Sequence, residues 1–358
     1  MGPRAFSGRD DIRAMQRLAS RLWPRGWHPG GLGWALARGA LADEIVLFER
    51  GGELVGWAGL GHEPDRLGHH PPGEVMAQVD PSRPDVARAI VEWLVDAAKA
   101  PQLTIEVAND DHALGTALDR VGFTRQADAG SGHGMRRPVL TVAPPPVAGY
   151  SVRAVQPGET GARVEVHRAA WRPASLPWHR GHQPPTDPDA TSSFTREGYE
   201  AVRNTWLYDP GFDLVAVAPD GSLAACCIAW LDPSTGVAEI EPLGVAPNHR
   251  RRGLAGALCL EVAARVGRAG GHEVFINTSP SDAYPAPAGA YAKAGFEVIN
   301  RTRTYGLRRD CGTGWGPVDG NGVCDRLAGD DVQGADRTVI ETHPYPSGAR
   351  GQGLRFDM

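Results

Sequence analysis

The chain has 358 residues, 41% of them hydrophobic and 22% charged, a length that suggests about two domains and a composition that excludes a wholly disordered, collagenous or coiled-coil protein. No run of about 18 apolar residues occurs and Met1-Gly2-Pro3-Arg4-Ala5 lacks a secretory apolar core, so a cytoplasmic protein without a membrane partner is expected. Of the net charge of −5, residues 310–358 carry −4, and the nearly neutral remainder argues against a nucleic-acid partner.

In chain order, residues 44–60 are two apolar runs around Gly51-Gly52, a hairpin pattern. A short strand at 74–79, helical spacing over 85–98, a strand at Leu103 to Val107 and a helix ending near Gly122-Phe123 follow. Ala143-Pro144-Pro145-Pro146-Val147 reads as an extended linker. The same order then returns: strands at Leu214 to Ala218, Ala224 to Trp230 and Val237 to Val245, a helix at 253–268, a strand at Val274 to Thr278 and a helix ending at Gly295-Phe296. This is a large internal repeat of an α/β unit. The expected organisation is a first unit at 1–142, a linker at 143–149, a second unit at 150–309 and a flexible, glycine-rich acidic tail at 310–358. Five cysteines, an odd number without metal-type spacing, predict neither a disulfide framework nor a zinc site.

The turn after the Val237–Val245 run carries the most information. Arg250-Arg251-Arg252-Gly253-Leu254-Ala255-Gly256 opens a helix. Unpaired N–H groups at a helix start attract anions, small residues let a pyrophosphate approach the backbone, and arginines add charge. There is neither a G-x-G-x-x-G fingerprint nor a P-loop.

Arg250-x-x-Gly253-x-Ala255 after Val245-x-Pro247, with Tyr291 four residues before Gly295-Phe296, resembles the GNAT superfamily of acyl-CoA-dependent N-acyltransferases over about residues 150–309. The first copy resembles the same fold without the signature: its turn, Asp80-Pro81-Ser82-Arg83-Pro84-Asp85, has no glycine, and Leu118 stands where the second copy has Tyr291. The pair is similar to mycothiol synthase and to tandem acyltransferases acting on antibiotics or aminosugars. The fold class expected is therefore α/β with a mixed sheet, two tandem GNAT-like units, the first degenerate.

What the resemblance implies is acetyl-CoA, or another acyl-CoA, as co-substrate without a metal, and a small-molecule amine as acceptor. Leu243, Gly244 and Val245 would hold the pantetheine arm, with the Val245 N–H on the thioester carbonyl, and Arg250, Arg251, Arg252, Gly253, Leu254, Ala255 and Gly256 would hold the pyrophosphate. Tyr291 would be the general acid. Glu239 and Glu241 would supply the base, Glu239 being favoured and Glu241 orienting the acceptor. Strand alternation would put Glu239, Glu241, Leu243 and Val245 on one face, and Pro242 between them suits an edge or a bulge. Many family members carry Asn where this chain has Tyr284. His167, Trp171, Trp178, His179, Tyr199 and Trp206 fall in the segment expected to line the acceptor cleft. A different class of function, a non-catalytic protein sequestering an acyl-CoA or an amine-containing antibiotic, is the rival reading.

Overall fold

The computed structural model describes residues 2–39, 41–61, 73–126, 132–183, 186–279, 281–309 and 315–317. The first half runs β1 (Arg4–Ala5), α1 (Arg9–Leu22), α2 (Pro29–Ala37), β2 (Glu44–Arg50), β3 (Glu53–Leu60), β4 (Val75–Val79), α3 (Pro84–Ala97), β5 (Gln102–Ala108), α4 (His112–Val121), β6 (Thr124–Arg125) and β7 (His133–Pro138). The second runs β8 (Ser151–Ala154), α5 (Thr160–Ala170), α6 (Arg196–Arg203), β9 (Asp213–Val217), β10 (Leu223–Asp232), β11 (Val237–Val245), α7 (Leu254–Arg268), β12 (Glu273–Thr278), α8 (Ala286–Lys293), β13 (Glu297–Arg309) and β14 (Trp315–Pro317). Gly51 and Gly52 both take positive φ, 61° and 80°, which is what a two-residue turn matching strand twist requires. Apart from 315–317, the expected acidic tail lies outside the described residues.

The result is a mixed α/β fold in which the repeat is visible but the strands are exchanged. β1 to β4 form one antiparallel sheet in sequence order. In the large sheet, β7 of the first half lies between β12 and β13, pairing antiparallel with both. The far part of β13 crosses back, Thr302 to Arg308 pairing with Ala108 to Gln102 of β5 and Tyr305 with Arg125 of β6. Each half therefore completes its sheet with a strand from the other, and the pairings cross both expected domain spans.

Helix α2 binds the halves a second time. Its sequence, PGGLGWALA, is apolar all round, and every residue from Pro29 to Leu36 is buried, as expected for a helix inside a core rather than on a surface. A Cβ on Gly30 would lie 2.2 Å from Cβ of Trp230, so only glycine lets the helix rest on β10. Trp34 joins Phe194, Tyr199, Ile228 and Trp230 in one cluster on this face of the sheet. Helices α7 and α8 cover the opposite face, where Leu258, Val262, Ile240 and Val274 pack.

Candidate active site

β11 and β12 pair in parallel at Val237↔Glu273, Ala238↔Val274 and Glu239↔Phe275, and then part. Among the described residues Ile240 to Val245 have no ladder partner on that edge, so the strands form a fork. A fork at the carboxyl ends of parallel strands is a natural ligand position, because backbone donors face the gap. The Ala246 N–H donates to the Ala224 carbonyl at 2.9 Å. Successive strand N–H groups point to opposite edges, so the Val245 N–H, one residue earlier, faces the fork.

The expectation that Glu239, Glu241, Leu243 and Val245 share a face fails. Cys227 pairs with Leu243 but Ala229 pairs with Ile240, so β11 has one residue more than β10 in that interval. The bulge falls at Glu241-Pro242, where proline cannot donate to the ladder, and it reverses the alternation. Ile240, Leu243 and Val245 all pack on the α7 side, whereas Glu239 faces α2.

Glu239 is 1% exposed. Its Oε2 accepts the Gly31 N–H at 2.6 Å and its Oε1 accepts the Asn277 side-chain amide at 2.9 Å. Gly31 lies in the first turn of α2, so a carboxylate of one half satisfies a helix start of the other. Nδ1 of His28 is 3.4 Å from Oε2, but it accepts the Gly30 N–H while Nε2 lies 3.3 Å from the Val237 carbonyl. That network assigns the proton to Nε2. Glu241, by contrast, is half-buried on the bulge, and its charge acts on the Tyr291 phenol.

Tyr291 lies on α8 within the core that covers the fork. Burial first, then Cys259 and Glu241, raises its pKa well above the usual 10.0, and its hydroxyl makes no hydrogen bond among the described residues. A buried phenol kept neutral, with its proton uncommitted, is a ready donor. Tyr284, in the position where Asn is usual in the resembling family, packs its ring 4.9 Å from Trp178, and burial pushes its phenol up to about 12.

Beyond the fork, a short 3-10 turn at Pro247–His249 leads through Arg251 at φ 62° and Gly253 at φ 82° into α7. Gly253 is the N-cap and no side chain caps the helix. A Cβ on Gly253 or on Gly256 would meet nothing within 4 Å, so the first turn faces open space, and its N–H groups have no partner among the described residues. Arg251 and Arg252 are exposed beside it. Arg250 behaves differently from expectation: its Nε donates to the Val245 carbonyl at 3.1 Å and its two terminal nitrogens to the carbonyls of Ala170 and Ser175. It ties the end of α5 to the turn, and its charge is half-buried there.

The aromatic residues divide. Tyr199 is packing: its hydroxyl donates to Asp213 at 2.6 Å, and Asp213 also pairs with the fully buried Arg163 at 2.8 Å. His167 is buried and stacks on Trp171 at 4.2 Å between ring centroids. Trp171 in turn covers Gly244, whose missing Cβ leaves its only room. Trp178 and His179 lie against residues 283–284, the His179 N–H donating to the Ala283 carbonyl at 2.7 Å. Trp206 carries the Arg13 guanidinium over its ring at 4.9 Å. Sequence reading missed α2, whose Gly-Gly-Leu-Gly pattern has the marks of a loop, and Asn277, a lone polar residue at a strand end.

Residues 175–296 match the Acetyltransferase (GNAT) family. Among solved structures, a tandem GNAT protein from the clavulanic acid biosynthesis pathway is similar over 86% of this chain and 97% of its own, at 17% identity and a TM-score of 0.53. A GNAT-family acetyltransferase from Colwellia psychrerythraea is similar over 86% and 99%, at 13% identity and a TM-score of 0.51. At these identities the likeness is one of fold, and it extends across both halves. No curated protein sequence matches the chain significantly.

Proposed function

We propose that this chain, whose residues 175–296 form a GNAT-family acetyltransferase domain, moves an acetyl or another short acyl group from CoA to the amine of a small molecule. The observation that carries the reading is the fork between β11 and β12, which runs from Glu241 and Tyr291 to the open start of α7 at Gly253 and Gly256. An acyl-CoA supplies the activated thioester. The first turn of α7 fits its pyrophosphate, since it offers free N–H groups, no obstructing Cβ and the Arg251 and Arg252 side chains.

The residues divide the labour as follows. Leu243, Gly244 and Val245 present backbone to the pantetheine arm, and the Val245 N–H donates to the carbonyl oxygen as negative charge develops. Glu241, half-buried at the bulge, accepts a proton from the ammonium directly or through one water. The amine nitrogen then bonds to the carbonyl carbon and passes its second surplus proton to water, the C–S bond breaks, and Tyr291 gives its proton to the leaving sulfur and is reprotonated from solvent. Arg250, Leu254 and Ala255 shape the turn. Glu239 is a positioning residue that holds Asn277 and α2 at the base of the fork.

Steady-state release of free CoA from acetyl-CoA, scored over a panel of primary amines, tests the reading. Amine-dependent release is expected. Tight acetyl-CoA binding with no release for any amine would sink it in favour of sequestration.

A further inference from the structure

Ile228 of β10 is opposed by two residues of β11, Glu241 and Pro242. A bulge leaves one residue out of the ladder, and a carbonyl released there inside the protein needs another donor. The Trp230 indole supplies it, its Nε1 donating to the Glu241 carbonyl oxygen at 2.5 Å. Trp230 pairs with Glu239 across the ladder, so its side chain stands on the same face, the one α2 covers, and reaches two residues further along β11. Glu241 is thus held by its backbone from the α2 face while its charge acts on Tyr291, which belongs to the core on the α7 side.

The indole has little freedom. Trp230 is 0% exposed, and a Cβ on Gly30 would lie 2.2 Å from its Cβ, 2.5 Å from Cγ and 3.0 Å from Cδ1. Helix α2 therefore rests directly on the root of the ring. Tyr208 meets the ring edge-on at 6.2 Å between centroids, and Trp34, Phe194, Tyr199 and Ile228 fill out the same cluster. Trp34 is equally buried, but its indole N–H has no hydrogen bond among the described residues. The cluster thus holds two buried tryptophans, one whose N–H is spent on the bulge and one that contributes packing.

We propose that Trp230 is a positioning residue for acyl transfer: its indole N–H fixes the Glu241-Pro242 bulge so that the Glu241 carboxylate stands at the fork, and α2 of the first half holds that indole in place through Gly30. The inference rests on the reading of Glu241 as the base. It gives the first half, whose own turn lacks the anion-binding signature, a part in the chemistry of the second.

Trp230→Phe removes the N–H and one ring, and Trp34→Phe makes the same change in the same cluster without breaking a hydrogen bond among the described residues. Both should lower Tm. Only Trp230→Phe should lower kcat/KM, by about 10- to 100-fold at neutral pH, the scale of a displaced catalytic group. That loss should shrink at high pH, as free amine becomes available, with acetyl-CoA affinity unchanged in calorimetry. In a Glu241→Gln background the same substitution should cost less than about threefold, since a base already removed cannot be misplaced. Amide hydrogen exchange over residues 240–245 should quicken in Trp230→Phe and hold in Trp34→Phe. Trp230→benzothienylalanine, which keeps the bicyclic shape and puts sulfur in place of the N–H, should repeat these results if the smaller ring unfolds the chain. Equal rate losses in the two tryptophan variants, a loss independent of pH, full additivity with Glu241→Gln, or unchanged exchange over 240–245 would each overturn the proposal. No loss at any pH in Glu241→Gln would sink Glu241 as the base and the proposal with it. Quickened exchange without CoA release for any amine would instead sink the transfer reading and leave the hold of the indole on the bulge supported.

Discussion

Glu239→Gln separates a base from a strut. In the folded chain both carboxylate oxygens are occupied, by the Gly31 N–H at 2.6 Å and the Asn277 amide at 2.9 Å, with the residue 1% exposed. A glutamine has one oxygen for two donors, and its NH2 must face the other. One charge-assisted hydrogen bond, about 1.5–3 kcal/mol, is lost together with about 0.3–1 kcal/mol of attraction between the carboxylate and the α2 N-terminus. The sum is roughly 2–4 kcal/mol of stability, a fall in Tm of several degrees in a scanning experiment. Acetyl-CoA affinity should hold, since the pyrophosphate turn is built at the other end of β11. The kcat/KM loss should be equal at all pH values, because a displaced Asn277 misplaces the acceptor whatever its protonation. In Glu241→Gln the loss should instead shrink at high pH, as free amine becomes available. An unchanged Tm for Glu239→Gln, with a rate defect that recovers at high pH, would refute the argument and make Glu239 the base.

Gly256→Leu introduces no φ strain and its Cβ would meet nothing within 4 Å, so it should leave Tm unchanged or slightly raised while weakening acetyl-CoA binding at least tenfold in calorimetry. Gly253→Val, at φ 82°, should weaken binding and also cost about 1–2 kcal/mol of stability. Tyr291→Phe should lower kcat by roughly 10²–10⁴-fold with cofactor affinity unaltered. The raised folded-state pKa of Tyr291 keeps it protonated through pH 10.0 and beyond, so any loss of rate between pH 7 and 9 should persist unchanged in this variant rather than disappear. Since β7 and β13 complete each other's sheets, the full chain should unfold in one transition. A fragment of residues 150–309, lacking β7, should be unable to pair the β12 edge and should aggregate on expression. A soluble, acetyl-CoA-binding fragment would show that the exchange is dispensable.

Local order alone made the repeat legible. The Gly51-Gly52 hairpin, the 237–245 strand, the α7 start at Gly253 and the two Gly-Phe helix ends at 122–123 and 295–296 follow from turn chemistry and side-chain periodicity, which act between near neighbours along the chain. The open start of α7 without a side-chain cap was legible for the same reason. Four things were decided only in three dimensions. The bulge at Glu241-Pro242 adds one residue to a ladder, and period-two reasoning cannot know that the count has changed, so Glu239 went to the wrong face. Arg250 looks like a phosphate ligand in a run of three arginines, yet the carbonyls of Ala170 and Ser175, some 75–80 positions earlier, claim it. Strand exchange is hidden because β7 and β13 have the same local pattern whichever sheet they join, and α2 reads as a loop because its glycines are needed by Trp230 and Gln16 rather than by a turn. Contacts between residues distant in sequence set these outcomes, since backbone pairing and close packing depend on which partner arrives, and short-range propensity carries no record of it.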